Sequence, residues 1–245
     1  MKYLPNNKKY DIRAHSDKKL KGYSVVQGGC ASPRYIYLVF EKKGKKSSTC
    51  KIVQLDGKTL RVIKVSKPLK IGHGNSICLK NSTLYITHSG TKKVIHTVHA
   101  MTLEKGKDIK VKNPKNFKTI NGFNGIAPYK DGFILRNIGS RKLYICDSDF
   151  KIKKYITLTS TIVSQDMDTY NNQIIRAFSQ LQSKKNYVYF YDYKGKLLKK
   201  IHLKVKGELE NVFVFNGYLY GTIYRKVKKK GKWKYRAYVV SIKKM

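Results

Sequence analysis

Asn75-Ser-Ile-Cys-Leu-Lys-Asn-Ser-Thr-Leu-Tyr-Ile86 sets two short apolar runs around the turn signal Lys80-Asn-Ser82. Short apolar runs broken by Asn and Ser read as a strand, a tight turn and a second strand. The stretch opens on a polar side chain, Asn75, and ten residues later carries Tyr85. The same frame recurs along the chain. Gln27-Gly-Gly-Cys-Ala31 is followed at that offset by Tyr37, Asn124-Gly-Ile-Ala-Pro128 by Ile134, Gln165-Asp-Met-Asp-Thr169 by Ile175, and Glu210-Asn-Val-Phe-Val214 by Tyr220. Lys130-Asp-Gly132, Asn171-Asn172 and Asn216-Gly217 supply the turns between the runs.

Each unit then continues with a third apolar run: Lys51-Ile-Val-Gln-Leu55, Val94-Ile-His-Thr-Val98, Leu143-Tyr-Ile-Cys146, Tyr187-Val-Tyr-Phe-Tyr191 and Ala237-Tyr-Val-Val240. Turns such as Asp56-Gly-Lys58 and Asp147-Ser-Asp149 lead into a fourth. A repeat of about 40–50 residues holding four strands is one blade of a propeller. The expected fold is therefore all-β: a five-bladed β-propeller of four-stranded antiparallel blades, forming a single domain over 1–245. The blades fall near 23–66, 71–112, 120–159, 162–205 and 207–245. The last unit ends at Met245 after its third strand, so a segment at 9–14 is expected to supply the missing strand and close the ring.

The composition is as distinctive as the repeat. Lys and Arg number 53 against 14 Asp and Glu, a net charge of +39. Such a chain seeks polyanions. Most of the excess is Lys, a point charge without the guanidinium fork that reads phosphates and guanines, which favours diffuse electrostatic attachment. The start of the chain has no apolar signal-like run, and no stretch is long enough to span a bilayer. The location is extracellular or wall-associated if a signal peptide has been removed, and cytoplasmic otherwise. Cys30, Cys50, Cys78 and Cys146 lack CxxC spacing and read as core thiols ahead of a disulfide framework. The scattered His15, His88, His96, His99 and His202 give no metal-ligand spacing, so no metal and no cofactor are expected. A monomer is expected.

The first strand of a blade is innermost, so the polar leaders Gln27, Asn75, Asn124, Gln165 and Glu210 are expected to ring one mouth of the central channel, with His73 on the same rim. A convergent polar ring in a concave place is a ligand-site candidate; hydrogen bonding to neighbouring blades and trapped water is the other reading. The loops between second and third strands emerge at that end. They carry Lys42, Lys43, Lys45 and Lys46 in the first blade, and Lys228, Lys229, Lys230, Lys232, Trp233 and Lys234 in the last. Lysines interleaved with aromatics suit a polymer bearing both phosphate and rings, and are the polyanion-binding candidates. No GxSxG, HExxH, P-loop or GxGxxG is present.

Val26-Gln-Gly28, Gly207-Glu-Leu-Glu-Asn211 and Asn216-Gly-Tyr-Leu-Tyr220 resemble the blade-opening motifs of glutamine cyclotransferases, which are five-bladed propellers. The resemblance implies that Gln27 helps hold a glutaminyl group and that Glu210 is the nearest match to the closing acidic motif, making these two the catalytic candidates. That family has an acidic residue at its second blade opening, where this sequence has Gly72-His-Gly-Asn75, and tryptophans around its pocket, where this sequence has Trp233 alone. The Lys/Tyr-rich, acid-poor blade style also resembles secreted propellers of lactic acid bacteria, which implies a wall-associated, bacteriocin-like habit. Three functional readings follow. The leading one is a secreted, non-enzymatic module attaching to anionic surface polymers such as teichoic acid or acidic glycans. The second is a glutaminyl cyclase-like enzyme with its pocket at the channel mouth, and the third is nucleic-acid binding through charge.

Overall fold

The computed structural model describes residues 9–11, 18–42, 49–88, 93–105, 110–112, 122–137, 140–159, 164–180, 185–229 and 231–245. They form five four-stranded antiparallel sheets. The first blade is β2 (Tyr23–Ala31), β3 (Tyr35–Lys42), β4 (Cys50–Asp56) and β5 (Val62–Val65). The second is β6 (Ile77–Lys80), β7 (Thr83–Thr87), β8 (Ile95–His99) and β9 (Lys110–Lys112). The third is β10 (Phe123–Tyr129), β11 (Gly132–Asn137), β12 (Lys142–Cys146) and β13 (Ile152–Thr157). The fourth is β14 (Ser164–Tyr170), β15 (Gln173–Gln180), β16 (Lys185–Tyr191) and β17 (Leu197–Leu203). The fifth is β18 (Glu208–Phe215), β19 (Tyr218–Lys229) and β20 (Lys232–Lys244), with β1 (Lys9–Asp11) paired outside β20.

The repeat read from the sequence is a register in space. The third residue after each leader faces the tenth across the first hairpin: Cys30 opposite Tyr37, Cys78 opposite Tyr85, Ala127 opposite Ile134, Asp168 opposite Ile175 and Phe213 opposite Tyr220. Two-residue turns fix that register. Asn81-Ser82, Asn171-Asn172 and Asn216-Gly217 hold positive φ at both central positions, the backbone twist that joins adjacent antiparallel strands without splaying them. At the same end of the blades, Asp56, Asp147 and Asp192 each turn the chain from third to fourth strand. In each case the Oδ1 atom accepts two backbone N–H bonds from the residues that follow.

Each sheet buries apolar side chains on both faces, and each face packs on a neighbouring blade. Five apolar clusters result, one at each blade–blade junction. The junction between the last blade and the first sets Phe213, Phe215, Tyr220, Ala237 and Val239 against Val26, Ile36, Leu38 and Phe40. The innermost strands follow one another around the axis as β2, β6, β10, β14, β18 and back to β2. All four cysteines are free and buried within these junctions. Burial pushes their thiols up, that of Cys146 to about 12.

The expected N-terminal strand reaches beyond the described residues, and the expected loop of the last blade is corrected. The N-terminal strand spans Lys9–Asp11 and pairs Lys9 with Val240 and Asp11 with Tyr238; residues 12–14 of the expected strand lie outside the described residues. Arg225 to Lys234, read as a charged loop, is largely paired ribbon, with Arg225 opposite Arg236, Val227 opposite Lys234 and Lys228 opposite Trp233. Backbone ladders form whatever the side-chain charge, and the interleaved Tyr and Val residues favour them. Among the described residues no helix is long and apolar enough to cross a membrane.

If the last junction closes the ring, Phe213→Ala will lower unfolding free energy by about 3–5 kcal/mol in urea titration, as for a fully buried aromatic. Loss below about 1 kcal/mol would move the closure to other contacts, β1 first among them.

Candidate site at the channel mouth

The first strands do not run straight into the mouth. In four blades the pairing slips at the polar leader: between Val26 and Gly29, Phe123 and Gly125, Ser164 and Met167, and Leu209 and Asn211. Gln27, Asn124, Gln165 and Glu210 therefore sit in β-bulges, which re-aim side chains and end regular pairing. In the second blade, β6 begins only at Ile77, and Asn75 precedes the strand. Gly28 and Gly29 are required by this convergence. A Cβ on Gly29 would lie 2.8 Å from Asn211 Oδ1, and one on Gly28 3.0 Å from the Ile77 amide nitrogen.

These leaders do not form a uniform ring of amides. One side of the mouth, contributed by the fifth, first and second blades, is acidic. Gln165 Nε2 donates to Glu208 Oε1 at 2.9 Å, and the Tyr224 hydroxyl also donates to Glu208. Burial raises the Glu208 carboxyl. Glu210 is 4% exposed and is pushed well up by burial, then by the neighbouring Glu208, Glu41 and Asp166. Glu41, at the end of β3, lies 2.8 Å from His73 Nδ1. Gly72 and Gly74 hold that His73 turn at positive φ, and the His73 amide donates to the His88 carbonyl. His88 Nδ1 and His96 Nε2 are 2.8 Å apart beside it. Among the described residues no group of three or more metal-ligating side chains converges.

Deeper on the axis, Ser76 donates to Asp166 across the channel while accepting the Ile126 amide at 2.9 Å, so one hydroxyl ties the second, third and fourth blades. Burial pushes Asp166 well above the usual carboxylate range. Asp168, half-buried one pleat further in, accepts from the Val214 and Thr169 amides at 2.9 and 2.7 Å. Its carboxyl is nevertheless raised to about 6, because desolvation outweighs those two bonds.

The opposite side is cationic. Arg136 Nη1 donates to Asn124 Oδ1 at 2.8 Å, and Arg176 lies over the Phe178 ring at 5.0 Å. Both guanidinium groups are buried at the junction of the third and fourth blades. Desolvation pulls Arg136 down to about 10; desolvation, aided by Arg136, pulls Arg176 to about 9, which leaves both charged at neutral pH. The mouth thus carries carboxyls raised by burial on one side and positive charge on the other.

The structure brings Glu210, Gln165 and His73 together through Glu208 and Glu41, neither of which was a sequence candidate. Asn124 is drawn away to Arg136. The Gln27 side chain is buried, and the backbone carbonyl of Gln27 accepts from Asn211 Nδ2 at 3.0 Å. Asn75 is half-buried, and its Oδ1 has no hydrogen-bond partner among the described residues. Lys42, Lys228 and Lys234 are exposed. Lys43, Lys45, Lys46 and Lys230, and the side chains of Lys229, Lys232 and Trp233, lie outside the described residues.

No protein-family model and no curated protein matches the chain. Among solved structures, glutaminyl cyclase from Myxococcus xanthus superposes with a TM-score of 0.62 at 11% identity, covering 97% of each chain. Hydrazine synthase from Kuenenia stuttgartiensis gives a TM-score of 0.48 at 13% identity, covering 90% of this chain and 64% of that one. The first likeness establishes a shared propeller fold.

The raised Asp168 carboxyl has a thermodynamic sign. Its folded pKa lies above the ordinary value of 3.8, so the stability of the neutral form is present below about pH 4 and lost as pH rises through about 6. Wild type is expected to lose roughly 2–3 kcal/mol across that window relative to Asp168→Asn. Parallel thermal melts of the two proteins from pH 4 to 7 measure the difference; parallel curves would show that Asp168 does not titrate there.

Proposed function

We propose that this protein is a binding module, acting outside the cell, that attaches to anionic polymers of a bacterial surface, teichoic acids or acidic glycans. The observation that carries the reading is where the charge lies. Of only 14 acidic residues, Glu41, Asp166, Asp168, Glu208 and Glu210 cluster at the axis, which leaves the rim of the propeller overwhelmingly basic. Three ion pairs join described residues, and one of them is Glu41–His73.

The outer strands supply both elements that a ring-bearing polyanion needs. On β13, Lys153, Lys154 and Tyr155 are exposed; on β17, Lys199, Lys200 and His202 are. Lys142 Nζ sits 4.4 Å from the Tyr155 ring centre, and Lys200 Nζ sits 4.2 Å from that of Tyr187. Ammonium groups on aromatic faces present charge beside a flat apolar surface, suited to phosphate alternating with sugar or polyol. Attachment of this kind is screened by salt.

A second reading has its own observation. Glu208 and Glu210 are carboxyls raised toward neutrality at a channel mouth, the condition for a group that both takes and gives a proton. Cyclisation of an N-terminal glutaminyl peptide, the activity that the Myxococcus protein is named for, is the reaction to assay.

Retention on teichoic-acid-bearing walls is expected to fall by at least about tenfold between low salt and about 0.5 M. Retention unchanged by salt would overturn the leading reading, and equal retention on nucleic acid at physiological salt would favour a nucleic-acid partner. Cyclase turnover that disappears in Glu210→Gln would establish the second reading; turnover that survives both that change and Gln27→Ala would remove these residues from it.

A further inference from the structure

The last blade outgrows the other four. Its second strand, β19, runs for 12 residues, whereas β3, β7, β11 and β15 run for 8, 5, 6 and 8. β18 accompanies β19 only as far as the Glu208–Tyr224 pair, and among the described residues β1 accompanies β20 only as far as Asp11–Tyr238. Past those points β19 and β20 pair with each other alone, from Arg225–Arg236 to Lys229–Lys232. Five residue pairs at a rise of about 3.4 Å make a two-stranded arm about 17 Å long. Its root is tied to the channel mouth. The Tyr224 hydroxyl donates to Glu208, the Tyr224 and Tyr235 rings stand 5.9 Å apart, and the Arg225 guanidinium lies 5.0 Å from the Tyr238 ring centre.

Such an arm is weak by itself. A two-stranded ribbon with no third strand and no core beneath it is marginally stable in water, and neighbouring like charges add repulsion. From 225 to 236 the sequence has eight Lys and Arg and no Asp or Glu, and no acidic residue follows Glu210 as far as 245. Residues opposite one another in an antiparallel pair share a face, and faces alternate along a strand. Arg225, Arg236 and Lys234 therefore share one face with Val227, while Lys226 and Lys228 share the other with Tyr235. Lys226, Lys228 and Lys234 are exposed. Cations on both faces of a narrow, weakly held ribbon suit a partner that surrounds it.

We propose that this arm is wrapped by a flexible, linear polyanion, and that wrapping firms its strand pairing. The inference rests on the polyanion reading above and adds to it the contacting element and the shape of the partner. A flat anionic membrane meets one face of the arm and leaves the cations of the other unmatched. A small anion neutralises one or two charges and leaves the repulsion along the strands. Duplex DNA, with a persistence length of about 50 nm, is too stiff to bend around an arm of this size. A flexible chain of closely spaced negative charges crosses both strands, matches both faces and releases its counterions. Each cation it matches removes repulsion within the ribbon, so binding and pairing reinforce one another by linkage.

Hydrogen exchange of the full chain at low salt, with and without long-chain inorganic polyphosphate, tests the proposal. Amides of 225–236 are expected to exchange at least about tenfold slower with polyphosphate, while those of the interior strands β3 and β11 keep their rates. The same amount of phosphate given as orthophosphate should protect nothing. Lys226→Gln combined with Lys228→Gln and Lys234→Gln should weaken polyphosphate binding at least about tenfold. Lys153→Gln combined with Lys154→Gln and Lys199→Gln removes the same charge from exposed positions of the outer strands, and should leave the arm protected. Unchanged exchange in the arm would overturn the proposal. So would protection by orthophosphate, anionic vesicles or duplex DNA equal to that by polyphosphate, or an equal loss of arm protection in the two triple variants. Wall retention that fails while polyphosphate still protects the arm would sink the wall-polymer reading alone; wall retention that persists with the arm unprotected would sink this one alone.

Discussion

Blade-to-blade apolar packing is the constraint on which everything else rests. A single four-stranded blade has two apolar faces and cannot bury either alone; only a neighbour on each side removes both from water. Five blades meet that requirement with five junction clusters, and the fifth junction, Phe213 and Tyr220 against Val26 and Leu38, makes the arrangement a ring instead of a stack. Once the ring exists, its five first strands must converge on one axis. Convergence forces Gly28 and Gly29 where strands nearly touch, and it forces bulges where polar leaders would otherwise collide. The channel mouth is a by-product of closure, and the chemistry there is set by how little water the converging strands admit.

Low water access accounts for the odd electrostatics of the axis. A protein of net charge +39 would be expected to hold its few carboxylates ionised. Asp166, Asp168, Glu208 and Glu210 are instead pushed toward the neutral form, because desolvation outweighs the diffuse positive field of distant, solvated lysines. These carboxyls tie blades together as acceptors: Asp166 takes the Ser76 hydroxyl, Asp168 the Val214 amide and Glu208 the Gln165 amide. The same desolvation acts with opposite sign on Arg136 and Arg176, which nevertheless stay cationic. A mouth with protonatable groups on one side and permanent charge on the other is the outcome.

Much of this architecture was legible in the sequence, for a local reason. The offset of ten between each leader and its partner strand reflects hairpins closed by two or so residues, and a short turn fixes register without long-range information. That is why Cys30 opposite Tyr37 and Phe213 opposite Tyr220 follow from the letters alone. The acidic side was not legible, although a signal existed. In so acid-poor a chain, the alternating pairs Asp166 with Asp168 and Glu208 with Glu210 stand on single strands at blade openings, where period two points both members to one face. Glu41 and Tyr224 occupy matching places fourteen residues after Gln27 and Glu210, a second-strand offset that meets the leaders only in space. The charged run at 225–234 was misread because lysines usually signal solvent, whereas a two-stranded ribbon leaves long side chains in solvent and still pairs its backbone.

These features divide recognition by physics. The lysines of β13 and β17 and Lys226, Lys228 and Lys234 of the β19–β20 ribbon set up a field that spreads over the rim, and such a field discriminates little between one anionic group and another. Choice has to come from groups held away from water, where an unmatched polar atom is expensive. The mouth, where Glu208, Glu210 and Gln165 converge, is a place in the fold that meets that condition. Closure of the ring fixes the first strands at the axis, while the outer strands, which pack on fewer neighbours, carry charge at no cost to the core.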